Sequence, residues 1–118
     1  MSHILIIEDE PFMALQIEDV LRGQGADSFD IAVSQADAVD AAVAHHPDLI
    51  TSDVRLVEGN GPAAVRQIQE RLGRIPVIFV TGTPEDCTGC DPDDIILSKP
   101  LDQAAMTAAF RKISGRPQ

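Results

Sequence analysis

Four carboxylates stand directly after short apolar segments of the chain, where they could do chemistry. Glu8, Asp9 and Glu10 follow the first such segment, and Asp53 follows the third. If these groups converge, each pair repels by as much as ~4 kcal/mol at about 4 Å and an effective dielectric constant of roughly 20. Such a cluster either raises the pKa of one acid or binds a hard cation, and carboxylates with a backbone carbonyl and water are typical ligands of Mg²⁺. The acids therefore indicate a candidate magnesium site.

A hydroxyl and an ammonium group follow the next two apolar segments. Thr81 comes directly after the fourth segment, and Lys99 follows the fifth, directly before Pro100. Opposite a bound cation these groups would complement an oxyanion, and a phosphoryl group fits them best. A carboxylate can itself accept a phosphoryl group as a mixed anhydride. The residues therefore predict a Mg²⁺-dependent phospho-aspartate site.

The apolar segments that must position these groups are predicted to be β-strands. They are His3–Ile7, Phe29–Val33, Asp48–Ser52, Pro76–Val80 and Ile95–Ser98. Most are nearly continuous in Ile, Val and Leu, as expected of strands that are buried on both faces. Amphipathic segments alternate with them, which predicts a doubly wound α/β domain whose parallel sheet carries helices on both faces. In such a sheet functional residues gather beyond the carboxyl ends of the strands.

Helical spacing and helix-terminal residues define the segments between the strands. The apolar helix faces are predicted to be Met13, Ile17, Val20 and Leu21, then Val65, Ile68 and Leu72, then Met106, Ala109, Phe110 and Ile113. Ser34 with Asp37 resembles a capping box, Pro62 suits a first helical turn, and Gly73 suits a C-terminal cap. Residues 81–94 are rich in Gly, Pro and Asp, so we expect a loop or at most one helical turn in place of a fourth crossover helix.

The length and charge of the chain indicate a single acidic domain and argue against several classes of partner. The chain of 118 residues is expected to form one domain, residues 1–118, with 114–118 as a frayed tail. Its net charge of −10 argues against direct nucleic-acid binding, and the absence of Trp and Tyr leaves few rings for stacking on bases or flavins. The first apolar run is too short for a signal peptide or a membrane span, so we expect a cytoplasmic protein without a membrane partner.

Four motifs in order carry a family resemblance that covers nearly the whole chain. They are Ile7–Glu10, Ser52–Val54, Thr81 and Ser98–Pro100. With them the sequence resembles the receiver domain of two-component response regulators. More narrowly, Pro76–Gly82 with the Pro-rich loop after it, Ser98–Pro100 and Asp53–Ala64 resemble the receivers of the alphaproteobacterial general stress response (PhyR-type). The resemblance implies a flavodoxin-like, five-stranded parallel sheet of order 2-1-3-4-5. PhyR-type receivers follow a sigma-factor-like domain for which these residues leave no room, so we expect a stand-alone receiver or an excised piece.

The same resemblance implies the chemistry of the acids. Asp53 would be the phosphoacceptor, taking its phosphoryl group from a phosphohistidine on a sensor histidine kinase or a phosphotransfer protein. Asp9 would ligate Mg²⁺ directly and Glu8 through water, with Asp53 and the backbone carbonyl of Arg55 completing the protein ligands. The Arg55 side chain is either solvated or placed over the phosphoryl group, and the sequence leaves both open.

Further roles, and one departure, follow from the resemblance. Thr81 would hydrogen-bond the phosphoryl group, Lys99 would pair with it, and the Lys99–Pro100 bond would be cis. Many receivers carry Tyr or Phe where this chain has Ile96, which puts the usual coupling of threonine to an aromatic ring in doubt. The output would be altered binding of a protein partner, with homodimerisation on phosphorylation as one form.

Other function classes fit the residues less well or stay open. A phosphatase with an Asp nucleophile usually needs a second acid where Arg55 stands, and a flavodoxin-like electron carrier needs aromatic partners and no acids at the phosphate loop. A pseudo-receiver that is never phosphorylated and a phosphate sink without output both remain alternatives. Cys87 and Cys90 form a CxxC pair that is either two reduced thiols or a reversible disulfide. His45 and His46 are expected to be surface residues at a helix end.

Overall fold

The computed structural model of the protein describes residues 2–86 and 94–114. In these ranges strands and helices largely alternate. They are β1 (His3–Ile7), α1 (Pro11–Gly23), β2 (Ser28–Ala32), α2 (Gln35–Ala44), β3 (Leu49–Ser52), α3 (Gly61–Leu72), β4 (Val77–Thr81), β5 (Ile95–Ser98) and α4 (Gln103–Ser114). A 3₁₀ turn, Pro84–Asp86, follows β4.

The strands form one parallel sheet in the order β2-β1-β3-β4-β5. This confirms the predicted doubly wound architecture. Every residue of β1, β3 and β4 is buried, which explains why these strands read as continuous apolar runs rather than as an alternating pattern. In the edge strand β5 half-buried and exposed residues alternate instead. The carboxyl ends of β1, β3 and β4 thus lie side by side in the middle of the sheet.

Each face of the sheet is covered by a pair of helices. Side chains of β1 alternate between the faces: Leu5 and Ile7 pack with residues of α2 and α3, whereas Ile4 and Ile6 pack with residues of α1 and α4. The predicted apolar helix faces all contribute to one of these two core clusters. The buried or partly buried members are Met13, Ile17, Val20, Leu21, Val65, Ile68, Leu72, Met106, Ala109, Phe110 and Ile113.

The predicted helix ends are also confirmed. The Asp37 N–H donates to the Ser34 hydroxyl at 3.1 Å at the start of α2. Pro62 lies in the first turn of α3. Gly73 ends that helix with a φ of 87°, a left-handed conformation that favours glycine.

A few boundaries differ from the sequence predictions. The second, third and fourth strands are shifted by one residue or start one residue later, and α4 includes Ser114, which we expected in the terminal tail. We expected a loop or at most one helical turn over residues 81–94, and the described part of that stretch, 81–86 and 94, contains the turn Pro84–Asp86. Residues 87–93, with Cys87 and Cys90, lie outside the described residues, as do 115–118. Within 2–86 and 94–114, no helix is long and apolar enough to cross a membrane.

Candidate active site

The lysine after β5 joins three acids at the carboxyl ends of the central strands. Lys99 Nζ lies 2.8 Å from Asp53 Oδ2, 2.9 Å from Glu10 Oε1 and 3.4 Å from Glu8 Oε1. Lys99 and Asp53 are largely buried, and Glu8 is only 1% exposed, whereas Glu10 is largely in solvent. The sequence prediction brought Glu8, Asp53 and Lys99 to one crevice, and the structure places them there.

Backbone pairing just beyond the strands fixes these side chains. The Asp53 N–H donates to the Ile7 carbonyl at 2.9 Å, and the Lys99 N–H donates to the Thr81 carbonyl at 2.8 Å. Both bonds continue the parallel ladders by one residue past the strand ends. The Val54 N–H donates to Asp53 Oδ1 at 2.7 Å, which orients the carboxylate and leaves its Oδ2 to Lys99. The Lys99–Pro100 bond is cis, as the resemblance implied.

Glu8 is an acid under electrostatic strain. Its Oε2 accepts a hydrogen bond from the Glu10 N–H at 3.2 Å, whereas its buried Oε1 has no hydrogen-bond partner among the described residues. Burial first, and then the negative charge of Asp53, raise the pKa of the Glu8 carboxyl to about 7, although Lys99 and the Glu10 N–H partly oppose the shift. The charged form of Glu8 therefore needs more positive charge than Lys99 supplies.

The same negative charges favour the charged form of Lys99. Burial lowers its pKa, but hydrogen bonds to Asp53 and Glu10 and the charges of Glu8 and Asp53 outweigh that effect. The net result is a pKa above the ordinary value for lysine, so the ammonium group stays charged across the physiological range.

The three acids fit a divalent cation. One carboxylate oxygen each from Glu8, Glu10 and Asp53 lies within 4.8 Å of the others. When all three are ionised, the ammonium group of Lys99 leaves two negative charges uncompensated, and a divalent cation would neutralise them. The buried Glu8 Oε1 without a hydrogen bond points to the same conclusion. An all-oxygen donor set of this kind suits Mg²⁺.

Asp9, a predicted magnesium ligand, is not one of these three acids, and Arg55 was predicted to contribute only its backbone carbonyl. Asp9 Oδ2 accepts a hydrogen bond from the Val57 N–H at 2.7 Å, so this carboxylate is tied to the loop between β3 and α3. Arg55 is exposed in the same loop, and its backbone pairs with Asn60 in an isolated antiparallel bridge. Their roles as ligands stay predictions.

Comparison with known proteins assigns the chain to a family. Residues 4–111 match the response regulator receiver domain family. The chain belongs to this family. It is a receiver domain of two-component signalling, and the receiver fold with strand order 2-1-3-4-5 agrees with that assignment.

Three relatives illustrate the likeness. The chain is 35% identical over 113 residues to the phyllosphere-induced regulator PhyR of Methylorubrum extorquens, covering 92% of this chain and 42% of PhyR. A solved structure of the PhyR stress response regulator is 37% identical, with a TM-score of 0.77, over 92% of this chain and 43% of that one. The receiver domain of a sensor histidine kinase from Pseudomonas aeruginosa PAO1, solved with magnesium in its active site cleft, is 29% identical, with a TM-score of 0.83, over 98% of both chains. The chain described here spans about half the length of the first curated relatives that it matches.

Thr81 lies at the same edge of the sheet as Asp53 and Lys99. It ends β4, is buried, and pairs in register with Ser98 of β5. Its hydroxyl oxygen accepts a hydrogen bond from the Thr83 N–H at 3.0 Å, so in this structure it is engaged by its own loop. Ile96, where many receivers carry an aromatic ring, is 41% exposed on β5.

Sequence reasoning missed the parts played by Glu10 and Gly61. It placed Glu10 among the acids after β1 but assigned it no role, and the structure shows it bonded to Lys99. A Cβ atom on Gly61 would lie 1.8 Å from the Asp53 carbonyl oxygen and 2.4 Å from Ser52 Oγ, so α3 begins against the backbone of the active site. The signal for Gly61 was its position just before Pro62 at the predicted start of a helix. Nothing in the sequence showed which backbone it approaches.

Proposed function

We propose that this receiver domain is a phosphorylation switch whose acceptor is Asp53. The observation that supports it most directly is the buried Asp53 carboxylate, with one oxygen held by the Val54 N–H at 2.7 Å and the other by Lys99 at 2.8 Å. The donor is a phosphohistidine on a sensor histidine kinase or a histidine phosphotransfer protein. In the transfer the N–P bond of the phosphohistidine breaks, a bond between an Asp53 carboxylate oxygen and phosphorus forms, and the released imidazole retains the electron pair and takes up a proton.

Lys99 and Thr81 are the groups that receive the phosphoryl oxygens. Lys99 already contacts Asp53 Oδ2, so its ammonium group lies where negative charge arrives with the phosphoryl group. Thr81 is fixed to Lys99 through their backbone hydrogen bond of 2.8 Å. If the Thr81 hydroxyl turned from Thr83 toward the phosphoryl group, the positions of the loop after β4 and of β5 would therefore change together. This is how phosphorylation would reach a partner-binding surface around Ile96.

Magnesium is the cofactor that this acidic crevice best accommodates. Glu8, Asp9, Asp53 and the backbone carbonyl of Arg55 would hold it, and Glu10 adds a carboxylate that the sequence analysis did not count. When bound, Mg²⁺ supplies positive charge that offsets the charge of the acids and of the phosphoryl oxygens. The likeness to a receiver solved with magnesium in its cleft supports this assignment.

The signalling context that we propose is a stress response in the cytoplasm, with a protein partner as output. Its support is the similarity to PhyR, a stress response regulator of known structure. The net charge of −10 argues against direct binding of nucleic acid. A pseudo-receiver and a phosphate sink are outcomes that experiment separates from this proposal.

Intact-mass measurement after incubation with a small phosphodonor tests the proposal. We expect one phosphoryl adduct that requires Mg²⁺ and disappears in Asp53→Asn. Asp19→Asn, which alters an exposed acid on α1, is the matched control and should be phosphorylated like the original chain. The assay is repeated with a phosphorylated histidine phosphotransfer protein as donor. Absence of an adduct from both donors would reject the switch in favour of a pseudo-receiver.

A further inference from the structure

The amino end of the sheet carries a second cluster of metal-ligating side chains, far from the active site. His3 opens β1, Asp30 lies in β2, and His45 follows the last residue of α2. One ligand atom from each of these three residues lies within 4.8 Å of the other two. We propose that His3, Asp30 and His45 form a binding site for a borderline divalent transition-metal ion, of which Zn²⁺ fits best.

The distances suit such an ion after a small adjustment. His3 Nε2 lies 3.0 Å from Asp30 Oδ2, and His45 Nδ1 lies 4.0 Å from the same oxygen. Ligand atoms around a tetrahedral zinc ion are ~3.3 Å apart, since Zn–N and Zn–O bonds are about 2.0 Å long. The observed separations lie on either side of that value. Two imidazoles and one carboxylate, with water in the remaining position, form a common zinc donor set.

The buried His3 ring is already oriented for ligation. Its Nδ1 is 2.7 Å from the Ser28 hydroxyl, and its Nε2 faces Asp30. A serine hydroxyl can donate or accept, so the ring can change tautomer without losing this bond. With the proton on Nδ1, the Nε2 lone pair is free for a metal, and Ser28 accepts the Nδ1–H. A hydrogen bond of this kind orients most metal-binding histidines in proteins.

His45 is the ligand that must move. Its ring stacks on His3, with centroids 3.5 Å apart and planes 14° from parallel. Two stacked rings cannot both direct lone pairs at one ion, because a ligated metal lies close to the plane of each ring. The His45 side chain is 58% exposed and therefore has room to rotate about its side-chain torsions. Metal binding would exchange the stacking contact for a bond that joins the end of α2 to β1 and β2.

This site and the active site should prefer different metals. The active-site cluster offers carboxylate oxygens alone, whereas the amino-end cluster offers two imidazoles. Hard Mg²⁺ prefers the first set of ligands and zinc prefers the second. Because β1 is five residues long, the two sites lie roughly 16 Å apart and can be tested independently.

Calorimetric titration with ZnCl₂ in excess Mg²⁺ tests the proposal. Two full-length proteins are titrated, the original chain and Asp53→Asn, in which zinc binding at the active site is weakened. We expect one zinc ion per chain. His45→Ala should weaken binding at least tenfold, whereas the matched control His46→Ala, at the adjacent exposed histidine, should change it less than threefold. Ser28→Ala should weaken it about tenfold, as for other groups that orient a ligand.

Imidazole ¹⁵N spectra of the same samples identify the ligand atoms. Zinc should shift His3 Nε2 and His45 Nδ1 and leave His46 unchanged. His3→Gln, whose amide can still bond Ser28 or Asp30, checks the buried ligand if His3→Ala does not fold. Equal zinc affinity in the original chain, His45→Ala and Asp30→Asn would overturn the proposal, as would zinc binding that is lost only when Asp53 is changed.

Discussion

Strand β1 has a buried ionisable residue at each end, and the two ends differ in how these residues are satisfied. His3 has a partner for both ring nitrogens, Ser28 and Asp30. Glu8, at the other end, has a buried carboxylate oxygen without a hydrogen bond among the described residues. That oxygen faces Lys99 Nζ at 3.4 Å but accepts no hydrogen bond, and a buried carboxylate satisfied this weakly costs free energy. The polar groups of the amino end are satisfied by protein partners alone, whereas the carboxyl end leaves negative charge that a bound cation would offset.

Replacing a glycine near each end of β1 by alanine is the first test of this comparison, and it has the largest expected effect on stability. Gly61 begins α3 at the carboxyl end, and an added Cβ would meet the Asp53 carbonyl oxygen at 1.8 Å. Backbone there must shift to admit it, so Gly61→Ala should lower the free energy of unfolding by about 3 kcal/mol, the upper part of the range for overpacking. Urea denaturation measures this change.

Gly23 is the matched control for that substitution. It ends α1 at the amino end, where a Cβ would meet no described atom within 4 Å. Gly23→Ala should raise the free energy of unfolding by about 0.5 kcal/mol, because alanine restricts the unfolded chain. Equal effects of the two substitutions would show that the backbone of the carboxyl end is no more constrained than that of the amino end.

Removal of the lysine at the carboxyl end should have the next largest effect. Lys99→Ala leaves Glu8 and Asp53 without their shared cation, so in chelator at pH 8 we expect a loss of about 2.5 kcal/mol, somewhat below the usual cost of breaking a fully buried pair. Millimolar Mg²⁺ should restore much of this loss by supplying positive charge. The measurement is thermal unfolding with and without Mg²⁺.

The control for Lys99 is the other lysine of the chain, Lys112, which is exposed on α4. Lys112→Ala should change stability by less than about 0.5 kcal/mol in either condition. If Lys99→Ala is as stable as Lys112→Ala in chelator, the carboxyl end is not under the electrostatic strain that its geometry indicates.

The difference in unfolding free energy between Glu8→Gln and the original chain should change by about 2 kcal/mol with pH. The pKa of Glu8 is about 7 in the folded protein and 4.5 without its environment, so the folded state binds this proton more tightly than the unfolded state. The contribution of Glu8 to stability therefore falls as pH rises from 4.5 through 7. Glu8→Gln removes that fall, so in chelator the variant should gain stability over the original chain between pH 5 and pH 8. A difference that stays constant with pH would contradict the raised pKa.

The same comparison shows what sequence reasoning could reach. Apolar runs and helical spacing predicted the fold, because burial on both faces imposes a pattern on strands such as β1 that a sequence displays directly. Topology then brought Glu8, Asp53 and Lys99 together, since the carboxyl ends of parallel strands share one edge. The ends of three strands were predicted one residue off, because a strand ends where its backbone hydrogen bonds to the neighbouring strands end.

Contacts that depend on the reach of single side chains could not be predicted. The hydrogen bond that Lys99 donates to Glu10 joins residues far apart in the chain, and the stacking of His3 on His45 depends on where α2 ends relative to β1. Both histidines were visible in the sequence, but His45 was interpreted as a surface residue. It is exposed, yet its ring covers the buried His3.

The smallest effect is expected from Asp30→Asn at the amino end. The amide oxygen of the substituted side chain can still accept the hydrogen bond from His3 Nε2 that Asp30 Oδ2 accepts at 3.0 Å, and the Asp30 side chain is 39% exposed. Because this hydrogen bond is kept and the carboxylate lies partly in solvent, at pH 8 in chelator we expect a loss of less than about 1 kcal/mol by urea denaturation. Glu8→Gln under the same conditions should gain stability, because it removes a charge that its surroundings do not satisfy. Opposite signs for these two substitutions follow directly from the difference between the ends of β1, and a matching sign would mean that the carboxyl end is as well satisfied without its ligand as the amino end.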